Sequence, residues 1–206
     1  MIFFIGAPLS GEQRIINLLK TNNILHKNRP KPMLDDIALK FYNKQITDER
    51  VMEKLIRTRM QTTIEFNSHL TLLAPMIKEV FPEARIILLI KHPVETIASY
   101  LLLRLFNRQE KILFKDLPPS KPTTKQQITK YALMWNATYS FIVEHSPWAE
   151  LLRYEDATIN HISEIISRPL FGEFEEPKNQ NFGVTEDMEN EIRSICQEMM
   201  THFAYK

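Results

Sequence analysis

Short apolar runs alternate along this chain with longer segments of helical periodicity. The first run, Ile2 to Ile5, is almost continuously hydrophobic, a pattern typical of parallel strands that are covered on both faces. Because helical segments separate the runs, we expect an α/β fold in which helices flank a small parallel sheet with right-handed crossovers. Three strands are predicted, at residues 1–5, 85–90 and 150–152.

Prolines and capping residues divide the helical segments. An extended connection is expected at residues 29–32, and the clearest non-helical linker is the proline-rich stretch 117–122. Asp48 is suited to cap a helix, and Pro82 follows the end of another. Helices are predicted over residues 12–21, 48 to about 66, 72–80, 93 to about 107, 123 or 124 to 143, and 184–205.

A strand, a glycine-bounded loop and a helix follow one another at the start of the chain. The apolar run from Ile2 to Ile5 ends at Gly6, and Gly11 closes a loop before a segment with helical spacing. Unpaired backbone N–H groups and the helix dipole converge at such a junction, where they bind anions. We therefore expect a ligand that carries phosphate.

The spacing of Gly6 and Gly11 is that of the P-loop of nucleoside-triphosphate-binding proteins. That motif continues with a lysine for the outer phosphates and a Ser or Thr that holds magnesium. Glu12 and Gln13 stand at those two places here. A carboxylate where triphosphate charge would concentrate argues against ATP or GTP, so a kinase is a weaker candidate.

The loop also resembles that of the sulfotransferases that use 3′-phosphoadenosine 5′-phosphosulfate (PAPS). In that family the first strand is commonly followed by Pro-Lys/Arg-Ser-Gly-Thr-Thr. Residues 8–13 form a degenerate copy of it, Pro-Leu-Ser-Gly-Glu-Gln. The resemblance implies a role in binding the donor for Pro8, Leu9, Ser10, Gly11, Glu12 and Gln13.

A second resemblance to this family follows the predicted strand at residues 85–90. Sulfotransferases carry Arg-Asp/Asn-Pro there, and the arginine binds the 3′-phosphate of PAPS together with a serine eight residues later. This chain has Lys91, His92 and Pro93, and Ser99 stands eight residues after Lys91. The resemblance implies that Lys91 and Ser99 bind the 3′-phosphate. The alternative is an ordinary strand-to-helix corner whose lysine and serine face solvent.

Further similarities to the family occur in the family's order. Trp135 lies in the long predicted helix, where sulfotransferases often have tryptophan, and residues 151–156 resemble the strand and Arg-Tyr-Glu-Asp turn that come next. The predicted terminal helix completes the order. Order is harder to obtain by chance than one short motif. The resemblance implies one sulfotransferase-like domain over residues 1–206, with the P-loop NTPase-like sulfotransferase fold.

Composition limits the partners that the chain can have. Its 206 residues, 44% of them hydrophobic, suffice for one domain with a sizeable core. With 26 Lys and Arg against 25 Asp and Glu, no overall basic field attracts nucleic acid or an anionic membrane, so any anion site is local. The one cysteine, Cys196, cannot form an internal disulfide and is expected in the core. Without an apolar run that spans a membrane, we expect a cytoplasmic protein.

Sulfuryl transfer needs a base that takes the acceptor's proton, but it requires no metal. His69 is the first candidate, because the sequence around it is similar to the Thr-His-Leu segment that carries the catalytic histidine of cytosolic sulfotransferases. Imidazole also titrates near neutrality. Carbohydrate-type relatives commonly use a glutamate instead, and His69 alternatively caps a helix. Glu12 and Glu65 are the reserve carboxylates.

The loop departs from the family in its charges. Leu9 stands where the family places a lysine or arginine that contacts the sulfate, and Glu12 and Gln13 replace two threonines. Loss of one such donor lowers the rate on the order of a hundredfold or more. Arg14 is the first substitute cation to consider, although a solvated surface position is its default. Lys178 is likewise expected at the surface.

Two functions from different classes follow. One is a transferase that moves a sulfuryl group from PAPS to a hydroxyl or amine of a small-molecule or glycan-like acceptor. The other is a sulfotransferase-like binding or interaction protein that is catalytically impaired, which Leu9 and Glu12 suggest. Nucleotide binding distinguishes the two, because the enzyme must bind the donor and an interaction protein need not.

Overall fold

The computed structural model describes residues 1–27, 32–57, 63–103, 124–174 and 184–205. Within these ranges the chain forms one sheet in which every pair of neighbouring strands is parallel, and helices flank it. The expected α/β fold with a small parallel sheet is confirmed. The strands are β1 (Ile2–Gly6), β2 (Ile64–Phe66), β3 (Arg85–Ile90) and β4 (Glu150–Arg153), in the spatial order β2-β1-β3-β4.

The helices occupy most of the remaining described chain. A 3-10 helix, Ser68–Leu73, joins β2 to the helix before β3. The α-helices are α1 (Glu12–Thr21), α2 (Pro32–Tyr42), α3 (Asp48–Arg57), α4 (Ala74–Val80), α5 (Pro93–Leu103), α6 (Thr124–His145), α7 (Ile159–Ile166) and α8 (Glu186–His202).

The helix predicted from Asp48 to about residue 66 is wrong at its C-terminal end. Helix α3 ends at Arg57, and Ile64–Phe66 forms a fourth strand that the sequence did not reveal. Three residues are too few to show a periodicity of their own. This strand is defined by its partner, because Ile2 pairs with Ile64 along the edge of β1.

Other predictions differ from the structure mainly at element ends. Helices α2 and α7 were not predicted, and Pro32, expected in an extended connection, is the first residue of α2, a position that suits proline. The helix expected from residue 72 begins at Ala74, after the 3-10 helix. The proline-rich linker 117–122 and Lys178 lie outside the described residues.

The sheet has a hydrophobic core on each face. Along β1, Phe3 and Ile5 contact the larger core, while Ile2 and Phe4 contact the smaller one, as alternation along a strand requires. Helices α6 and α8 contribute to the larger core, and α1 and α7 to the smaller. All five residues of β1 are buried, so the expectation of a strand covered on both faces is confirmed.

The strand order determines where a ligand site is expected. The chain runs from β1 to β2 on one side and then crosses to β3 on the other side of β1. In open α/β sheets, ligands bind at the carboxyl ends of the strands where the order reverses, which is between β1 and β3 in this arrangement. The loop after Gly6 and the turn at Lys91 follow these two strands.

Candidate functional site

The end of β1 is fixed by hydrogen bonds to the 3-10 helix. The Gly6 N–H donates to Thr71 Oγ1 at 2.9 Å, and the same hydroxyl donates to the Gly6 carbonyl at 2.8 Å. Gly6 has a φ of 150°, and a Cβ atom there would overlap the carbonyl oxygen of Leu89 on β3. Glycine is therefore required at this position for β1 and β3 to lie side by side.

Two buried tyrosines from distant helices hold the loop that follows β1. The hydroxyl of Tyr139 on α6 accepts the Ala7 N–H at 3.3 Å, contacts Ser10 Oγ at 2.9 Å and donates to the Leu89 carbonyl. The hydroxyl of Tyr100 on α5 donates to the Pro8 carbonyl at 2.6 Å. Burial raises the pKa of both phenols, so they remain protonated donors. The loop is thus fixed from the larger core, without a ligand.

The side chain of Glu12 turns back into this loop. Its Oε1 atom accepts the N–H of Leu9 at 3.2 Å. Leu9 and Gly11 both have positive φ angles, 61° and 99°, so the backbone curls around the carboxylate. Burial raises the pKa of Glu12, while hydrogen bonds from the loop backbone and the charge of Lys91 act in the opposite direction.

Tyr154, directly after β4, covers the start of α1. Its ring packs on Gly11, and the Lys91 ammonium lies 4.9 Å from the ring centroid. The guanidinium of Arg14 lies 5.4 Å from the same centroid and 3.7 Å from that of Phe174. Arg14 also donates to the Tyr154 carbonyl at 3.3 Å. The expectation of a solvated surface position for Arg14 is wrong, because its guanidinium packs against two aromatic rings.

Lys91 lies just before α5 and Ser99 lies within it, with Glu95 between them in the sequence. The Lys91 Nζ atom is 3.3 Å from Glu95 Oε2, and the lysine side chain is only 12% exposed. Ser99 Oγ donates to the Glu95 carbonyl at 2.8 Å. The cation and the hydroxyl therefore both contact Glu95, in the first turn of α5. The lysine does not simply face solvent.

The Lys91 turn is fixed by groups that sequence reasoning had not given a role. Glu155 accepts the His92 N–H through Oε1 and the Tyr205 hydroxyl through Oε2, both at 2.8 Å. Trp135 Nε1 donates to the Lys91 carbonyl at 3.3 Å. Glu155 follows Tyr154 in the Arg-Tyr-Glu-Asp segment, so this segment contributes to both halves of the candidate site.

A cavity of about 160 Å³ opens at the carboxyl ends of β1, β2 and β3. Glu12 lines it, and no cationic side chain does among the described lining residues. The cavity therefore has hydroxyl, amide and carboxylate groups but lacks a fixed positive charge. Its described lining residues are Phe4, Ile5, Gly6, Ala7, Ser10, Glu12, Phe66, Asn67, Ser68 and Leu89.

The remaining candidates lie in different places. His69 belongs to the 3-10 helix next to the cavity, but its side chain lies outside the described part of the structure. Gln13 is exposed on α1, and its amide donates to Asn17. Glu65 is 1% exposed within β2. Cys196 is buried, and burial raises the pKa of its thiol to about 12, so its expected place in the core is confirmed.

Comparison with known proteins does not assign this chain to a family. The sequence matches no protein-family model and no curated protein. No helix in the described ranges has the length and apolar character needed to cross a bilayer. The resemblance to sulfotransferases consequently depends on the motifs of this chain and on the site that the fold assembles from them.

Proposed function

We propose that this protein is a PAPS-dependent sulfotransferase with the P-loop-like fold of that family. The donor binds across the carboxyl ends of β1 and β3, and the acceptor is a hydroxyl or amine of a small molecule or glycan-like compound. The observation that carries the proposal is the meeting of the β1 loop and the Lys91 turn at the switch point, where Tyr154 contacts both.

The two ends of the nucleotide fit this site unequally. Lys91 supplies a cation and Ser99 a hydroxyl for the 3′-phosphate. The Lys91 ammonium can bind this phosphate when its ion pair with Glu95 breaks. The loop backbone between Gly6 and Gly11 faces the 5′ end, but Glu12 already occupies that loop. The 3′ end is therefore the stronger half of the proposed site.

Chain residues position the reactants and receive the acceptor proton. Tyr100 and Tyr139 keep the loop in one conformation before any ligand arrives, which lowers the cost of organising the site. The donor, when bound, supplies an activated sulfuryl group. His69 follows the cavity residues Asn67 and Ser68, so we place the acceptor in that cavity and assign His69 as the proton acceptor.

Isothermal titration with adenosine 3′,5′-bisphosphate, the product nucleotide, tests the proposal. Replacing Lys91 with alanine should weaken binding by about 1.5–3 kcal/mol, the usual value of a hydrogen bond to a charged group. Lys78→Ala is the matched control, because Lys78 donates to the Ala84 carbonyl before β3, at the opposite end of that strand from Lys91. Absence of binding to the wild type at millimolar nucleotide, or equal affinities of the two variants, would contradict the proposal.

A second function, nucleotide binding without turnover, is favoured by a specific observation. The Leu9 side chain packs against the larger core, so the loop position that carries a cation in sulfotransferases is apolar here. Under this alternative the protein binds adenosine 3′,5′-bisphosphate but neither transfers nor hydrolyses the sulfuryl group of PAPS. A radiolabelled-donor assay, run at the nucleotide concentration that saturates binding, separates the two functions.

A further inference from the structure

The Glu12 carboxylate lies at the place where a loop of this kind holds an anion. A strand, a loop with positive φ angles and a helix N-terminus direct backbone N–H groups toward a common point. In this chain Leu9 directs its N–H to Glu12 Oε1, and the backbone N–H groups of Gly11 and Glu12 also favour the ionised carboxylate.

Within the described part of the chain, charge compensation for this carboxylate is incomplete. Lys91 is the cation that favours its ionised form, yet the Lys91 ammonium also pairs with Glu95 at 3.3 Å. The nearby phenols of Tyr100 and Tyr139 bring no positive charge, and burial raises the pKa of Glu12. An additional anion in the loop would therefore meet a negative charge with little to neutralise it.

We infer that Glu12 is a specificity-determining residue whose carboxylate fills the anion position of the β1 loop, so that a ligand phosphate or sulfate binds there only by displacing it. The backbone groups that hold Glu12 are the same ones that a ligand needs. For the identity of the nucleotide this inference rests on the proposed function, but competition within the loop does not depend on it.

The competition concerns one end of the nucleotide only. Lys91, just before α5, and Ser99, within α5, are proposed for the 3′-phosphate and do not belong to the loop. Removing the Glu12 charge should consequently strengthen the binding of a ligand with a 5′-phosphate, whereas a ligand with a 3′-phosphate alone should gain less. Adenosine 3′,5′-bisphosphate and adenosine 3′-monophosphate form a matched pair for this comparison.

The experiment measures the affinities of the wild type, Glu12→Gln and Glu12→Ala by titration calorimetry. Glutamine retains the shape and a carbonyl acceptor for the Leu9 N–H but removes the charge, while alanine empties the loop. Glu150→Gln is the control, because it removes a carboxylate that pairs with Arg85 at the start of β3, at the end of the sheet opposite the loop. Inorganic pyrophosphate is included as a probe that needs the loop but no nucleoside.

Both Glu12 variants should bind adenosine 3′,5′-bisphosphate at least about tenfold more tightly than the wild type, which corresponds to 1.4 kcal/mol. The gain for adenosine 3′-monophosphate, and the gain for either nucleotide in Glu150→Gln, should be smaller. A gain for pyrophosphate without nucleotide binding by any variant would uphold the role of Glu12 and refute the proposed function.

Equal affinities of the wild type and both folded Glu12 variants for bisphosphate and for pyrophosphate would overturn the inference. So would an equal gain in Glu150→Gln, since that result would reflect general electrostatics and not occupation of the loop. Circular dichroism melting of each variant shows that it is folded, and the glutamine variant covers the case in which alanine destabilises the start of α1.

Discussion

The ring of Tyr154 occupies the space that a side chain on Gly11 would fill. A Cβ atom built on Gly11 would overlap Cδ2 of this ring and would lie 2.6 Å from Cε2 and 2.9 Å from Cγ. Tyr154 is anchored by its own N–H, which donates to the Ile90 carbonyl at 2.8 Å. The end of β4 and the start of α1 are thus packed together through a glycine.

Replacing Gly11 with alanine should destabilise the protein and displace Tyr154. The positive φ of 99° alone costs about 1–3 kcal/mol for a residue with a Cβ atom, and overpacking against the ring adds about 1–3 kcal/mol. Gly172→Ala is the control, because its φ is 113° but its Cβ would meet only Thr21 Cγ2 at 3.6 Å. Urea unfolding of both variants gives the difference. Equal losses of stability in the two variants would show that the Tyr154 ring moves away from the new Cβ atom without an energetic cost.

Removing the hydroxyl of Tyr139 should loosen the β1 loop. Tyr139→Phe leaves the buried Ala7 N–H and Leu89 carbonyl without this partner, and unsatisfied buried groups cost about 1–3 kcal/mol. Tyr42→Phe is the control, since Tyr42 is less buried and contacts Phe141 through its ring. Denaturant unfolding and amide hydrogen exchange at Ala7 check the prediction. It fails if the two variants lose the same stability and Ala7 keeps its protection.

Glu12 should make the protein less stable as the pH rises. Burial raises its pKa, so the folded chain binds this proton more tightly than the unfolded chain does. The stabilising contribution is complete below the ordinary value of 4.5 and is lost as the pH increases through the raised value. The free energy of unfolding of Glu12→Gln, relative to the wild type, should therefore increase with pH above 4.5.

Glu150 provides a control of opposite sign for this pH experiment. Two hydrogen bonds from Arg85, at 2.8 and 2.6 Å, lower the pKa of Glu150 below 4.5. Its contribution is present above that value and is lost as the pH falls through the lowered pKa. Urea unfolding measures both variants relative to the wild type, from below the lowered pKa of Glu150 to above the raised pKa of Glu12. The relative stability of Glu150→Gln should decrease as the pH rises to 4.5, and that of Glu12→Gln should increase above 4.5. Parallel curves would mean that burial does not raise the pKa of Glu12 in the folded protein.

Glu155 should act on the site through the Lys91 turn. Glu155→Ala removes the acceptor of both the His92 N–H and the Tyr205 hydroxyl, and each bond to a charged group contributes about 1.5–3 kcal/mol. Both stability and affinity for adenosine 3′,5′-bisphosphate should decrease. Tyr205→Phe, which keeps the His92 bond, should lose stability with a smaller loss of affinity. An unchanged nucleotide affinity in Glu155→Ala would separate this residue from the site.

The sequence alone determined the elements whose signal is local. β1 and β3 were predicted because continuous apolar runs bury both faces of a strand, and α6 because its apolar residues repeat at helical spacing. The position of the loop between Gly6 and Gly11 followed from the same pattern. β4, whose first two residues are exposed, was predicted from the resemblance of residues 151–156 to the strand and turn of sulfotransferases. Strand β2 was missed, because a three-residue strand is defined by its pairing with distant segments, here β1 and Lys27.

The charges of the site were decided by tertiary structure. Sequence showed that Glu12 replaces a threonine of the related loop, but only the fold shows its carboxylate turned back onto the Leu9 N–H. From the sequence Arg14 resembled a surface residue, but in the fold its guanidinium packs against the rings of Phe174 and Tyr154. A side chain's partners depend on which distant segments reach it, and periodicity along one segment contains no information about those segments.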